Sequence, residues 1–274
     1  LFQLPYSEVF SYLKEGKVTN TSNDPYAGWM QDVLYHYGSE ILHNNIKIKL
    51  LDNPSHLELA TPVVNGYLKS IQENIIKNNS VNKSMNIITH GDASFSGQGI
   101  VSELFNMKNL KPYDIGGTIH IVVNNQIGFT TNPEETKSNG YCTDIAKAYN
   151  IPIIHVNADD VESCLNAANL SYQYKMTFQK DIIIDLIGYR RHGHNEGDEP
   201  SFTQPLMYKK ISNHPNLKEI YKNKLISIHG NDIENLTNQY TQKWDQILEA
   251  ELENPNDGAV SKKHHELIKS NKEI

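Results

Sequence analysis

The residue pattern predicts an α/β fold: a mostly parallel sheet flanked by helices, with a helical extension at the C-terminal end. Three observations carry that reading. Short β-branched runs at Met85–Thr89, Thr118–Val123, Ile153–Val156 and Ile182–Ile187 alternate with segments of helical spacing, as in βαβ units. Most positions in these runs are apolar, as expected of strands covered on both faces. Polar loops of unusual composition leave three of them, at His90–Gly99, Asn124–Asn132 and Tyr189–Pro200. Parallel sheets bind ligands at the carboxyl ends of their strands, so these loops are expected to meet along one edge.

The remaining elements follow in order. Tyr6–Glu15 reads as a short helix, and Thr19–Tyr26 as a polar loop rich in Asn, Thr, Ser and Pro. Ile46–Leu51 is apolar at alternate positions and reads as a strand. Asn53-Pro54-Ser55-His56 supplies a turn, after which Leu57–Ile76 recurs with helical spacing. Gly97–Met107, Asp144–Tyr149 and Val161–Thr177 are expected helices between the strands, and beyond Gln204 the pattern is helical and polar. The expected division is 1–45 as an N-terminal helix and linker, 46–205 as the α/β domain, and 206–274 as the helical extension.

Composition narrows the function. A net charge of -7 with scattered lysines argues against a nucleic-acid surface, which needs clustered Lys and Arg. No apolar run approaches the roughly 20 residues of a membrane helix. Cys142 and Cys164 are the only cysteines, which excludes a disulfide framework and a cysteine metal cage and suits a reducing interior. Both read as small buried hydrophobes. Asn-X-Ser/Thr triplets, as at Asn20 and Asn78, are expected by chance in an Asn-rich chain. The first residue, Leu1, suggests a fragment or a processed chain.

The chemistry concentrates in two segments. His90-Gly91-Asp92-Ala93-Ser94-Phe95-Ser96-Gly97-Gln98-Gly99 leaves a strand and opens a helix, where glycines admit close approach and free N–H groups attract an anion. It is not a P-loop, since no Lys-Ser/Thr follows the glycines, and Ser102 occupies the third small position of a dinucleotide fingerprint. Asn124-Asn125-Gln126 stands at the end of the next strand. An Asp and an Asn on adjacent strand ends, with a main-chain carbonyl nearby, are hard oxygen donors suited to Mg²⁺ shared with a phosphate. The same residues also fit a quieter reading, in which Asp92 caps a helix and the Asn pair forms a turn.

Gly-Asp-Ala followed some thirty residues later by Asn-Asn resembles the thiamine-diphosphate motif. The wider sequence resembles the first, decarboxylating component of 2-oxoglutarate dehydrogenase, through His90–Gly99, Asn124–Thr131, Tyr141–Ile145, Val156–Asp160, Tyr189–Glu196, Asn53–Glu58 and Thr203–Tyr208. The resemblance runs from about Asp32 to Leu225 and is loose outside those bounds. It implies a thiamine-diphosphate-binding fold in which Asp92, Asn125 and the carbonyl of Ile127 hold Mg²⁺ against the cofactor diphosphate. Ser55, Leu57, Ala93 and Ser94 are implied to contact the cofactor. His36 is implied to bind and polarise the 2-oxoacid, and His194 to face the cofactor or the reacting carbonyl. Tyr37 departs from the family, which usually has Met or Leu there, and Ser39–Ile48 diverges as well.

The resemblance further implies oxidative decarboxylation of 2-oxoglutarate, or of its rival 2-oxoadipate, and succinyl transfer to the lipoyl domain of dihydrolipoyl succinyltransferase. It implies a homodimer as the complete enzyme, in the mitochondrial matrix of a eukaryote or the cytoplasm of a bacterium. The family's substrate-binding His-Arg-Gly segment and its pyrimidine-binding domain, which carries the activating Glu, find no match here. The chain is therefore expected to be part of a longer enzyme and inactive alone; the other reading is a non-catalytic remnant.

Overall fold

The computed structural model describes residues 36, 38–76, 83–138, 140–195 and 197–253. The expected helix at Tyr6–Glu15 and loop at Thr19–Tyr26 lie outside these residues. The chain divides into two units, one of residues 1–55 with 225–274, the other of His56–Lys224.

In the first unit, β1 (Ser39–His43) pairs antiparallel with β2 (Ile46–Leu50), with Ile41 opposite Ile48. The residue pattern predicts β2, as a strand at Ile46–Leu51, but not β1. The turn between them explains the pairing. Asn44 and Asn45 both take left-handed backbone angles (φ 48 and 63), as a two-residue type I′ hairpin requires. Asn tolerates that region, so an Asn-Asn pair between short alternating runs was a readable signal.

The second unit holds a four-stranded, wholly parallel sheet in the order β3 (Asn86–Gly91), β4 (Thr118–Asn124), β6 (Ile182–Ile187), β5 (Ile153–Asn157). Alternate residues of the strands feed two cores. Val122 and Ile183 pack with Phe95, Val101, Phe105, Cys142, Ala146 and Ile151 on one face. Ile119, Ile182, Ile184 and Val156 pack with Ala167 on the other. This double burial is the physical reason the strands read as apolar runs.

Helices cover both faces. α1 (Ala60–Ile71) continues into a π-helical turn (Gln72–Ile76), within the expected Leu57–Ile76 helix. The expected Gly97–Met107 helix is shorter: a single turn, α2 (Asp92–Phe95), precedes α3 (Ile100–Met107). The left-handed Gly99 (φ 79) separates them. α4 (Pro133–Thr136) and a 3₁₀ segment (Cys142–Tyr149) lie between β4 and β5. α5 (Val161–Phe178) starts where the Asp160 carboxylate accepts from the Ser163 N–H at 3.1 Å, a side-chain N-cap. α6 (Pro205–Asn213), α7 (Leu217–His229) and α8 (Asn231–Glu253) follow in the chain.

One glycine is compulsory. At Gly117 (φ 79) a Cβ would lie 2.2 Å from the carbonyl carbon of Lys180, so only Gly lets β4 begin beside β6.

Candidate active site

Asp92 follows the last residue of β3 and is almost wholly buried. It does not cap α2, whose N-cap is Gly91 with no side-chain bond. Its Oδ2 instead accepts from the Lys137 ammonium at 3.0 Å. Ala93, next along, is exposed.

The Ser94 hydroxyl turns back to Glu58, 2.7 Å from Oε1. The other oxygen of Glu58 lies 2.6 Å from His90 Nδ1, and His90 Nε2 is 2.9 Å from His120 Nδ1. An ionised Glu58 carboxylate can only accept, so His90 donates to it from Nδ1. Burial pushes the Glu58 carboxyl up, but the hydrogen bond and charge of His90, with the Ser94 and Thr61 hydroxyls, outweigh it and hold the group below its usual 4.5. Burial drives His120 below its usual 6.5 despite Asp181, 3.6 Å from its Nε2. Residue patterns had given His90 a packed or supporting role, and it has one; Glu58 had not been singled out.

The Asn pair is a turn, as the quieter reading held. Asn124 Oδ1 accepts from Gln126 N at 3.2 Å, and Asn125 Oδ1 accepts from Ile127 N at 3.1 Å. Gln126 is left-handed (φ 61) between them. Asn124 is locked from behind, its Nδ2 donating to Asp185 Oδ1 at 3.1 Å. Asp185 on β6 is fully buried and also accepts from Thr143 Oγ1 at 3.3 Å, with His155 Nδ1 2.8 Å from Oδ2. The Ile127 side chain packs with Tyr208 and Ile211 of α6, which pins the loop and fixes its carbonyl.

The three loops do meet. A Cβ on Gly128 would lie 3.4 Å from Ala93 Cβ and 3.4 Å from Thr136 Cγ2, so the Asn loop packs on the start of α2 and the end of α4. Gly188 N donates to the Asn124 carbonyl at 2.8 Å, and Gln126 Nε2 donates to the Gly188 carbonyl at 2.7 Å. Arg190 Nη2 donates to the Phe129 carbonyl at 3.1 Å. His194 is exposed and meets Phe129 edge to face, with ring centroids 5.6 Å apart. Its loop depends on Gly193, where a Cβ would fall 2.5 Å from Asp198 Cβ.

Asp92, Ala93, Ser94, Asn125, Ile127 and His194 therefore lie on three loops joined by direct contacts. Leu57 is 59% exposed, directly before Glu58. His36 and Ser55 belong to the first unit and form a pair of their own, with His36 Nε2 2.7 Å from Ser55 Oγ.

The donor set suits a hard cation. It offers one buried carboxylate already holding a positive charge, a carboxamide oxygen, and a main-chain carbonyl on a pinned loop. Among the described residues no three His, Cys, Asp or Glu side chains converge on a metal position. The exposed Ala93 lies on the same edge, beside buried Asp92 at the start of α2.

A family model described as "Dehydrogenase E1 component" matches residues 17–267, well past both bounds of the resemblance read from motifs. The chain is 46% identical over 254 residues to a 2-oxoglutarate dehydrogenase E1 component of Bacillus cereus (strain G9842), covering 89% of this chain and 26% of that protein. It is 47% identical, with the same coverage, to proteins of that name from Bacillus cereus (strain AH187) and Bacillus anthracis (strain A0248). The chain thus spans about a quarter of the length of these relatives. All three are bacterial, so they lend the mitochondrial placement no support. With the parallel sheet, the joined loops and a match over most of the sequence, the chain belongs to the dehydrogenase E1 component family.

Proposed function

We propose that this chain supplies the diphosphate side of a thiamine-diphosphate site in a 2-oxoglutarate dehydrogenase E1 component. The observation that carries the reading is the pairing of Asp92 with the Asn124–Asn125 turn at the carboxyl ends of adjacent parallel strands. Asp92 and Asn125, with the Ile127 carbonyl, would hold Mg²⁺, and Ala93 and Ser94 would line the diphosphate. When bound, thiamine diphosphate supplies the electron sink for decarboxylation of a 2-oxoacid.

The protein's part is placement and charge. Asp185 fixes the Asn turn, Glu58 fixes Ser94, and the pinned Ile127 loop keeps its carbonyl at one position, so little ordering remains for binding. His194, exposed on a loop tied to the Asn turn, is proposed to donate to the substrate oxygen as negative charge grows there. His36, paired with Ser55, is proposed to orient the 2-oxoacid, and Ser55 and Leu57 to touch the cofactor. Residues 46–205 are the proposed cofactor-binding domain and 206–274 its helical extension.

In the full-length protein this side would face a pyrimidine-binding domain within a homodimer and pass a succinyl group to the lipoyl domain of dihydrolipoyl succinyltransferase. Given the bacterial relatives, the proposed location is the cytoplasm. Calorimetric titration of thiamine diphosphate into the full-length protein, with Mg²⁺ and then with excess chelator, tests the reading. Saturable binding that chelator abolishes is expected. In D92A the Mg²⁺-dependent affinity is expected to fall by more than the roughly 10–100-fold typical of outer-shell changes. Equal affinity of D92A and wild type would overturn the site.

A further inference from the structure

The Asp92–Lys137 contact is a buried ion pair inside the site, with side chains 4% and 11% exposed. Lys137 has no part in the proposed binding of Mg²⁺ or cofactor. Its position is set by the backbone: α4 ends at Thr136, packed against Gly128, and Lys137 then turns out of the helix into extended geometry (φ −142, ψ 130). That turn aims the ammonium at a carboxylate that makes no other side-chain hydrogen bond or ion pair among the described residues.

We propose that Lys137 is a built-in counter-ion that holds the cation position of Asp92 until a divalent cation displaces it. The inference rests on the reading of Asp92 as a cation ligand. An unpaired buried carboxylate is costly to desolvate, so the metal-free protein needs a charge at this point. Lysine suits the task because its charge is compact and sits on a flexible four-carbon stem that can withdraw. A dication and an ammonium crowded onto one carboxylate repel strongly where little water screens them. Cation entry therefore requires Lys137 to leave, and the free energy of the ion pair is subtracted from metal affinity. The consequence is a site that takes up the bare ion poorly and fills when diphosphate adds its own negative charge. Lys137 is then a positioning residue that discourages loading with metal alone.

Mn²⁺ serves as the probe, its free concentration read by electron paramagnetic resonance in cofactor-free, full-length protein. K137M and K137Q are expected to bind Mn²⁺ roughly tenfold more tightly than wild type, a coupling of ordinary size. K137R, which keeps the charge, is expected to bind as weakly as wild type, and D92N is expected to lose binding. The uncharged variants should also melt lower without metal and gain more from saturating Mg²⁺. K137Q keeps a polar chain of similar reach, so the test survives if K137M fails to fold. Unchanged or weaker Mn²⁺ affinity in both uncharged variants, with binding lost in D92N, would overturn the role of Lys137 alone. Mn²⁺ binding by D92N equal to that of wild type would instead overturn the cation site itself.

Discussion

Asp185 shows how a residue that no motif marks can fix a turn. Its carboxylate is fully buried on the central strand β6, yet it serves Asn124, Thr143 and His155 at once. Removing it would leave the Asn124 amide and the Thr143 hydroxyl without their acceptor and free the turn that carries Asn125. D185A is therefore expected to lose about 3 kcal/mol in urea unfolding, the usual scale for breaking a buried charged network. D185N, which keeps one acceptor, should lose less. Beside it, Cys142 is buried and its thiol is pushed up to about 12, first by burial and then by the charge of Asp185. It stays protonated near neutral pH and acts as packing, as the sequence suggested.

The turn that begins at Asp92 is held by a different lever. Glu58 enters α1 from a left-handed backbone position (φ 68), which swings its carboxylate beneath Ser94 and His90. Glu58 and His120 both titrate below their usual values, so in each case the unfolded chain binds the proton first as pH falls. Stability is then fully present above the unfolded value and declines below it. The decline is expected to begin near 6.5 from His120 and to steepen below 4.5 as Glu58 joins. Denaturant unfolding across that range checks this: H120Q should remove the upper part of the slope and E58Q the lower. A slope unchanged in both variants would mean that this chain of groups does not set the acid limit.

The sheet ties these parts into one scaffold. β4 and β6 are its inner strands, and each contributes to the cores on both faces. I183A truncates a side chain with no exposed surface on β6, and is expected to lose about 3 kcal/mol, with a cavity term included. The loss should appear as a lower denaturant midpoint at constant slope. Because β6 also carries Asp185, the same change should weaken the proposed Mg²⁺-dependent cofactor binding less than D185A does, since it disturbs packing but leaves the acceptor in place.

The four parallel strands, the long α5 and the three loops of the proposed site could be read directly from residue order. Apolar runs follow from burial on both faces, and the Gly-Asp and Asn-Asn segments combine residue types that few other roles need together. Where reading failed, the signal was short or its meaning depended on a distant partner. β1 is five residues long and mostly exposed, so its apolar alternation is slight, while Gly99 cut an expected helix short. Glu58, Asp185 and Lys137 are ordinary charged residues in the sequence, with no motif to mark them. They gain their roles from neighbours 32 residues away at His90, 61 at Asn124 and 45 at Asp92. Local spacing encodes backbone preference and hydrophobic burial, so it specifies elements. Pairing of buried charges depends on which elements the fold stacks side by side, and only the folded chain brings those together.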